Sequence, residues 1–310
     1  MKISLTGANG FIGKNLLSKL LKDNHDIKIL SNKTCSNKLI KVCPGSFSSD
    51  NHDIYNFLKG SDIVINCAGE ISDNKMMQST NVDGVKKLLN VISENNMNIK
   101  FLQLSSAGVY QKEIDLNNYK LINESYEIYS KDKYEQSKLD ADNVITNFSE
   151  NNNINYIILR PTAIYSKNMT NQSLRNLINY IKKRYFFYIE NKDSVLSYLH
   201  LDDLTDTIIN IINNDYFNNK IYNLSDDVKI NQTVDKITSI FNAQVINKKI
   251  SKRLYKFLVF ILPRFLKIPI KQSFYNALTC MSIIDSSLAK KELQFKPTRH
   301  LYDCIDELIS

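Results

Sequence analysis

Two tyrosine–lysine pairs in the chain have a spacing that could support acid–base chemistry. Tyr134 and Lys138 are four residues apart, and so are Tyr129 and Lys133. Residues four apart lie on the same face of a helix, and an ammonium beside a phenol stabilises the phenolate and lowers its pKa. A tyrosine in that setting can exchange protons near neutral pH. The spacing therefore predicts a tyrosine acid–base group and leaves two candidates for it.

A pair of serines follows a predicted strand and could add a hydroxyl to the same chemistry. The strand is predicted at 100–104, and Ser105 and Ser106 come directly after it. A hydroxyl near the acid–base group can hydrogen-bond a reacting oxygen and stabilise charge that develops there. A serine after a strand is also a common helix cap, so its position alone does not identify a catalytic group.

A glycine-rich turn near the start of the chain predicts a nucleotide site. A short predicted strand at 3–5 is followed by Gly7, Gly10 and Gly13, and then by leucines at helical spacing. Gly7 permits a sharp turn, Gly10 lets a diphosphate approach the backbone, and Gly13 lets the helix pack close to the sheet. The helix N-terminus offers N–H groups to the phosphates. The alternative for a glycine triplet on its own is a tight turn with no ligand.

Several segments resemble, in the same order, motifs of the extended short-chain dehydrogenase/reductase family. They are TGANGFIG at 6–13, SSAGVY at 105–110, YEQSK at 134–138, LRP at 159–161, HLDD at 200–203 and YNL at 222–224. The glycine spacing, GxxGxxG, is the one that this superfamily uses. The resemblance extends from Gly7 to Pro297 and is strongest to the nucleotide-sugar epimerases and dehydratases, in the UDP-glucose 4-epimerase-like branch of bacterial surface-polysaccharide synthesis.

The resemblance implies an α/β fold. The expected architecture is a Rossmann-type doubly wound parallel sheet with a smaller, mixed C-terminal substrate-binding region. The NAD(P)-binding domain is expected at 1–165, with returning segments near 196–225. The substrate-binding region is expected mainly at 166–310.

The resemblance also assigns roles to residues. It selects Tyr134 over Tyr129, because YEQSK matches the YxxSK segment of the family. The catalytic residues that it implies are Ser106, Tyr134 and Lys138, with Lys138 holding the phenol anionic. The residues implied to bind the cofactor are Gly7, Asn9, Gly10, Phe11, Ile12, Asn32, Lys33, Cys67, Ala68, Gly69, Tyr134, Lys138 and Pro161. The residues implied to contact the substrate are Ser106, Ala107, Tyr134 and Thr162.

Two further positions receive an interpretation from the resemblance. Asn81 opens a helix predicted over NVDGVKKLLNVI and matches an asparagine that relatives keep beneath the active site; a plain helix cap is the alternative. His200 is expected to be structural and to hold the loop on the substrate side.

The residues after the second predicted strand, at 26–30, bear on the choice of coenzyme. An acidic residue there binds both ribose hydroxyls and favours NAD. This chain has Ser31, Asn32 and Lys33 instead. A 2′-phosphate would be tolerated and could pair with Lys33, so NADP(H) is mildly favoured over NAD, although Lys33 could equally be a solvated lysine. Gly45–Ser46 stands where relatives often have Gly-Asp facing the adenine, which leaves that contact open.

The same catalytic residues serve several reactions in the family. Dehydratases carry an Asp–Glu pair after the catalytic hydroxyl, where this chain has Ala107 and Gly108, so 4,6-dehydration is not expected. A 4-keto reductase acting on a UDP-4-keto-6-deoxy-hexosamine with NAD(P)H is favoured. The alternative is a 4-epimerase of a UDP-hexose or UDP-N-acetylhexosamine with tightly bound NAD. A non-catalytic NAD(P)-binding sensor is disfavoured, since regulators of this superfamily commonly lose the catalytic set.

The composition limits the classes of binding partner and the cellular location that are expected. The chain has 310 residues and a net charge of +8, which suits a phosphate-bearing substrate, but no nucleic-acid motif accompanies the charge, so no nucleic acid is expected. The five cysteines have neither CxxC spacing nor histidine partners, so neither a metal site nor disulfides are expected. The first strand leaves no room for a signal peptide, and no apolar run could span a bilayer, so a cytoplasmic protein is predicted.

Residues 248–271 combine eight lysines and arginines with an apolar stretch. Two interpretations stay open. The favoured one is a helix pair that covers the nucleotide, and the other adds peripheral membrane contact through 252–271. Relatives often dimerise through two helices that flank the site, including the one that carries Tyr134, so the resemblance implies a homodimer.

Overall fold

The computed structural model describes residues 1–33, 35, 37–110, 118–130, 132–169, 172–242, 249–251, 253–255, 275 and 278–309. The segment 252–271, for which membrane contact is predicted, lies outside the described residues except for 253–255.

The strands and helices are numbered in chain order. The described strands are β1 (Lys2–Thr6), β2 (Asp26–Leu30), β3 (Ile40–Cys43), β4 (Ile63–Asn66), β5 (Lys100–Leu104), β6 (Lys120–Ile122), β7 (Tyr156–Pro161), β8 (Ala163–Tyr165), β9 (Tyr188–Ile189), β10 (Val195–His200), β11 (Lys220–Leu224), β12 (Asp226–Lys229), β13 (Lys249–Ile250) and β14 (Ser282–Ile284). The described α-helices are α1 (Phe11–Lys22), α2 (Asn51–Leu58), α3 (Asn74–Met77), α4 (Gly84–Glu94), α5 (Lys133–Asn152), α6 (Gln172–Lys182), α7 (Leu201–Asn213), α8 (Ile230–Phe241), α9 (Ser287–Glu292) and α10 (Ile305–Ile309).

The large sheet contains seven described strands in the order β11-β7-β5-β4-β1-β2-β3. Every neighbouring pair in it is parallel. The order runs one way from β1 through β2 to β3 and the other way from β1 through β4 to β5. This is the topological switch point of a doubly wound sheet, where ligands bind outside the carboxyl ends of the strands. The predicted Rossmann-type sheet is confirmed.

Helices cover both faces of the sheet, as the composition of its strands requires. β4 is an uninterrupted buried run from Ile63 to Asn66, with no polar face for solvent, which is typical of a parallel strand between two helical layers. On one side, residues of α1 and α7 form a buried cluster with the strands, including Leu16, Leu204 and Ile208. On the other side, α2, α4 and α5 contribute residues such as Phe57 and Leu88.

A smaller region of mixed strands lies beside the large sheet. β10 pairs in parallel with β8 and antiparallel with β12. A second buried cluster joins this sheet to α6, α8 and α10, with Tyr165, Ile189 and Ile237 among its members. The chain also returns to the large sheet, since α7 packs on α1 and β11 forms the edge beside β7. The limits of the two domains stay a prediction.

The helix predicted to open at Asn81 starts earlier. α3 runs directly into a π-helical turn, Gln78–Asp83, which runs directly into α4. Asn81 therefore lies inside a continuous helical segment and is not a cap. A π-helical turn shifts the side-chain register within a helix and is frequent at functional sites.

Among the described residues, none of the helices is long and apolar enough to cross a bilayer.

Candidate active site

The turn after β1 depends on the absence of side chains. Gly7 has a φ of +68°, and a Cβ on it would lie 2.6 Å from the carbonyl of Cys67 at the end of β4. A Cβ on Gly13 would lie 2.1 Å from the carbonyl oxygen of Gly7. Gly13 thus lets α1 pack against the turn itself. Burial raises the pKa of the Cys67 thiol to about 12, so the end of β4 is uncharged at neutral pH.

The first turn of α1 leaves backbone N–H groups for a ligand. Its N-cap residue is Gly10, which has no side chain to cap the helix. The first turn, which the structure describes in full, has no acidic residue. By contrast, Asp50 and Asp132 cap α2 and α5. Phe11 and Ile12, both predicted to contact the cofactor, are the first residues of α1. This uncapped N-terminus, with its positive dipole end, fits a diphosphate.

A cavity of about 390 Å³ opens beside the ends of β1, β2 and β4, and Leu30, Phe47 and Ala68 are among its lining residues. Its volume lies within the range of small-ligand pockets, and its apolar walls suit a planar base. Ser46, at the position where relatives often have an acid, also lines it. The cavity and the uncapped helix together fit the adenosine and diphosphate of a dinucleotide.

The residues predicted to meet the adenosine ribose are held by one hydroxyl. Ser31 Oγ accepts hydrogen bonds from Asn9 Nδ2 at 2.9 Å and from the Lys33 backbone N–H at 3.0 Å. Ser31 is buried, whereas Asn32 and Lys33 are exposed. Because no carboxylate stands at 31–33, the site has neutral and basic groups where an NAD-specific one has an acid. The preference for NADP(H) stays a prediction.

Ser106 lies just beyond the carboxyl end of β5. Its Oγ accepts a hydrogen bond from the Gly108 backbone N–H at 3.0 Å and so begins the short 3₁₀ turn Ala107–Val109. The same hydroxyl is near enough to the Tyr134 phenol to lower the pKa of that phenol. The side chain is therefore both the cap that a lone serine suggests and a partner of the predicted acid–base group.

The first two turns of α5 present Tyr134 and Lys138 to this edge of the sheet. The helix is capped by Asp132, whose carboxylate accepts from the Glu135 backbone N–H at 2.9 Å. Lys138 Nζ lies 5.9 Å from the centroid of the Tyr134 ring and donates to the Leu104 carbonyl at 2.9 Å. The three side chains predicted to be catalytic thus meet at the carboxyl end of β5.

The other tyrosine–lysine pair is not assembled in this way. Tyr129 precedes α5, and its backbone N–H donates to the Val109 carbonyl at 3.0 Å. Its side chain is 53% exposed. Lys133 is the first residue of α5, so the two do not share a helix face.

The predicted lowering of the Tyr134 pKa is not produced by the protein's own groups. Burial, together with the charges of Asp132 and Glu135, raises the pKa of Tyr134 to about 12, although the Ser106 hydroxyl acts to lower it. Burial lowers the pKa of Lys138, and its ammonium is directed to a backbone carbonyl. The phenol is therefore protonated at neutral pH and is set up to donate a proton.

Asn81 joins the loop after β4 to α5. Its Nδ2 donates to Ser137 Oγ at 2.8 Å and to the Glu70 carbonyl at 3.0 Å, while its Oδ1 accepts from the Glu70 backbone N–H at 2.7 Å. A Cβ on Gly69 would lie 3.2 Å from Lys138 Nζ, so a side chain there would displace the lysine by a few tenths of an ångström. The loop thus forms one wall around the lysine.

Two residues predicted to contact the substrate are buried. Ala107 belongs to a small apolar cluster with Tyr110. Thr162 follows Pro161 at the end of β7, and its Oγ1 accepts a hydrogen bond from Ser225 Oγ at 3.2 Å. Their contacts with a substrate, and that of Pro161 with the cofactor, stay predictions.

His200 ends β10, and its Nδ1 accepts from the Asp202 backbone N–H at 3.1 Å, which caps α7. This contact agrees with the structural role expected for it.

Asp142 was not among the residues predicted from the sequence. It lies one turn beyond Lys138 on α5 and is buried against Ser105 and Arg160. Its spacing of four from Lys138, on a helix already predicted, was a usable indication.

Most of the chain matches a known protein family. The model of the "NAD dependent epimerase/dehydratase family" matches residues 3–225. The chain belongs to this family. The match runs from β1 to the residue after β11 and so includes the glycine turn, Ser106, Tyr134 and Lys138.

Two curated relatives of this family member match over part of their length. A putative UDP-glucose 4-epimerase of Methanocaldococcus jannaschii is 28% identical over 176 residues, which are 53% of this chain and 56% of that protein. A decarboxylating sterol-4-alpha-carboxylate 3-dehydrogenase of Dictyostelium discoideum is 28% identical over 126 residues, which are 37% of this chain and 38% of that one. The chain thus spans less than two thirds of either relative.

Among solved structures, UDP-glucuronic acid 4-epimerase from Bacillus cereus, in complex with NAD, resembles this epimerase/dehydratase family member with a TM-score of 0.74. The sequences are 16% identical, and the likeness covers 99% of this chain and 97% of that one. At this identity the likeness establishes the fold.

Proposed function

We propose that the protein transfers a hydride between a nicotinamide dinucleotide and a sugar carbon of a UDP-sugar. The reaction that we propose is reduction of the 4-keto group of a UDP-4-keto-6-deoxy-hexosamine. The observation that carries the proposal is the meeting of Ser106, Tyr134 and Lys138 beside a turn that fits a dinucleotide. The names of the relatives, which include UDP-sugar 4-epimerases, support the class of substrate.

Each residue has a part that follows from its position. A reduced nicotinamide dinucleotide held by the glycine turn and the start of α1 would supply the hydride. Tyr134 donates its phenolic proton to the carbonyl oxygen, and the phenolate later takes a proton from solvent. Ser106 hydrogen-bonds the same oxygen and stabilises the charge that develops there. Lys138, one turn from Tyr134, supplies a positive charge next to the phenolate while it exists.

The direction of the reaction is supported by the state of the phenol. A reductase needs a protonated Tyr134 at the start of turnover, and an enzyme that first oxidises a sugar alcohol needs the phenolate. Since burial raises the pKa of Tyr134 to about 12, the protein's own groups favour the protonated form. Reduction therefore starts from the form that the protein stabilises.

A 4-epimerase is the second candidate. One relative and the NAD-bound structure are both named as 4-epimerases of UDP-sugars. Such an enzyme would retain NAD and return the hydride to the opposite face of the sugar. The same Ser106, Tyr134 and Lys138 would serve both half-reactions.

A single absorbance experiment tests the two candidates. The purified protein is mixed with a UDP-4-keto-6-deoxy-N-acetylhexosamine and either NADPH or NADH, and the reduced-nicotinamide band is followed. A stoichiometric loss of absorbance is the expected result. No loss, together with NAD released when the protein is denatured, would overturn the reductase and indicate the epimerase.

A further inference from the structure

A buried polar network lies behind the proposed catalytic residues. Asp142, 1% exposed, accepts hydrogen bonds at the same oxygen from Ser105 Oγ at 2.8 Å and Arg160 Nε at 2.9 Å. Arg160 Nη1 in turn donates to the Tyr110 hydroxyl at 2.8 Å. The carboxylate thus joins α5, the residue after β5 and the strand β7.

The charge of this carboxylate acts on two buried cations. Lys138 is 5% exposed and Arg160 is 2% exposed. A buried charge is costly unless an opposite charge and hydrogen bonds compensate it. Burial lowers the pKa of Lys138, and Asp142 is the larger of the two influences that raise it; the other is the Cys67 thiol at the end of β4. That thiol is neutral at pH 7, so Asp142 supplies the negative charge.

Asp142 also bears on the position of Ser106. The hydroxyl of the preceding residue, Ser105, donates a hydrogen bond to the Asp142 carboxylate. The Ser105 backbone N–H donates to the Leu159 carbonyl of β7 at 2.8 Å. Together these bonds fix both the side chain and the backbone of the residue next to Ser106.

We propose that Asp142 is a positioning residue of the reaction. Its carboxylate is the counter-charge that keeps Lys138 cationic, and its bond to Ser105 holds the segment that carries Ser106. Arg160, whose Nε donates to the carboxylate, orients it; burial raises the pKa of Asp142, and the charge of Arg160 opposes that rise. This role rests on the proposed function, because it acts through two residues to which that function assigns catalysis.

The chain offers a matched control. Asp203 is also buried and is paired with an arginine, Arg299, whose Nη1 donates to it at 2.8 Å. It further accepts from the Thr298 hydroxyl at 3.0 Å. Removing either carboxylate charge takes a partner from a buried or half-buried arginine, so both changes should lower stability. Arg299 keeps a second partner, Asp206, whose Oδ2 lies 3.3 Å from its Nη1. Asp142, unlike Asp203, is an electrostatic partner of Lys138.

The experiment measures the protonation of Lys138 directly. Lysine labelled with ¹³C at Cε is titrated by NMR in the wild type, in Asp142→Asn and in Asp203→Asn, and Lys138→Met identifies the resonance. Asp142→Asn should lower the Lys138 midpoint by about one pH unit or more, and Asp203→Asn should leave it unchanged. Asp142→Glu keeps the charge and should restore the midpoint. An equal midpoint in the wild type and Asp142→Asn would overturn the proposal, as would an equal shift in the two Asn variants.

Two further measurements complete the test. In the wild type, which needs no variant to fold, Lys138 should be charged at about pH 7, and a neutral lysine there would also overturn the role. In the reductase assay, Asp142→Asn should reduce kcat about tenfold or more with little change in the KM for the nucleotide. The titration does not depend on turnover, so an inactive wild type with the expected midpoints would refute the proposed function alone.

Discussion

The two ends of the proposed cofactor cleft are built differently. At the reaction end, Lys138 and Asp142 are almost completely buried, and each is held by a bond to the residues around the end of β5. At the adenosine end, Asn32 and Lys33 are exposed, and Ser31 alone is buried among the three. A change at the reaction end should therefore alter chemistry and stability together, whereas a change at the adenosine end should alter coenzyme selectivity alone.

The largest effect is expected from Tyr134→Phe. This change removes the proton donor but leaves the ring, so turnover should fall by about 10² to 10⁴ while the cofactor still binds. Tyr129→Phe, in the pair that the fold does not assemble, is the matched control and should retain full turnover. Steady-state assays and fluorescence titration with reduced coenzyme provide the measurements. Equal losses in both variants would mean that the acid–base group has been misassigned.

Two glycines of the turn between these ends should respond differently to alanine. In Gly13→Ala the new Cβ meets the Gly7 carbonyl oxygen at 2.1 Å, so α1 must move, at a cost of about 1–3 kcal/mol. In Gly10→Ala the nearest atom is the same oxygen at 3.2 Å, so the fold should be kept and mainly the approach of phosphate hindered. Thermal unfolding with and without coenzyme separates the two. A Gly13→Ala protein as stable as wild type would contradict the close packing.

Much of the large sheet could be predicted because its strands are short apolar runs that end in glycine or small residues. β5 lies where it was expected at 100–104, and β2 at 26–30. The helix around Asn81 was placed too late, because the helical segment begins at Asn74 and passes through a π-helical turn, which has no local sequence pattern. The side chain of Asn81 bonds Glu70 and Ser137 there, and these contacts are properties of the packed structure.

At the site, spacing indicated which side chains meet, since Tyr134 and Lys138 share a helix face. Spacing could not indicate the state of the phenol. The pKa of Tyr134 depends on how deeply the ring is buried and on which acceptor Lys138 finds, and both are properties of the packed structure. Asp142 was missed for a related reason, because its partner Ser105 follows β5 and its partner Arg160 lies in β7, and the sequence does not show that these two strands are neighbours.

At the adenosine end, Asn32→Asp should change selectivity moderately. The new carboxylate can accept from the ribose hydroxyls and repels a 2′-phosphate, so the ratio of kcat/KM for NADPH to that for NADH should fall about tenfold. Asn90→Asp adds the same charge on the exposed side of α4 and should leave the ratio unchanged. Similar ratios in both variants would place the ribose elsewhere.

The smallest effect is expected from pH on the reduction rate. The pKa of Tyr134 is raised, to about 12, so the proton-donating form persists as the pH rises and is lost only near that value. The kcat for keto-sugar reduction should therefore change less than about twofold between pH 7 and pH 9. Sugar-alcohol oxidation needs the phenolate, so its kcat should rise over the same interval. Measuring kcat against pH in both directions, at saturating coenzyme, tests this prediction. A reduction rate that falls with a midpoint near neutrality would show that Lys138, despite its bond to the Leu104 carbonyl, lowers the phenol pKa during turnover.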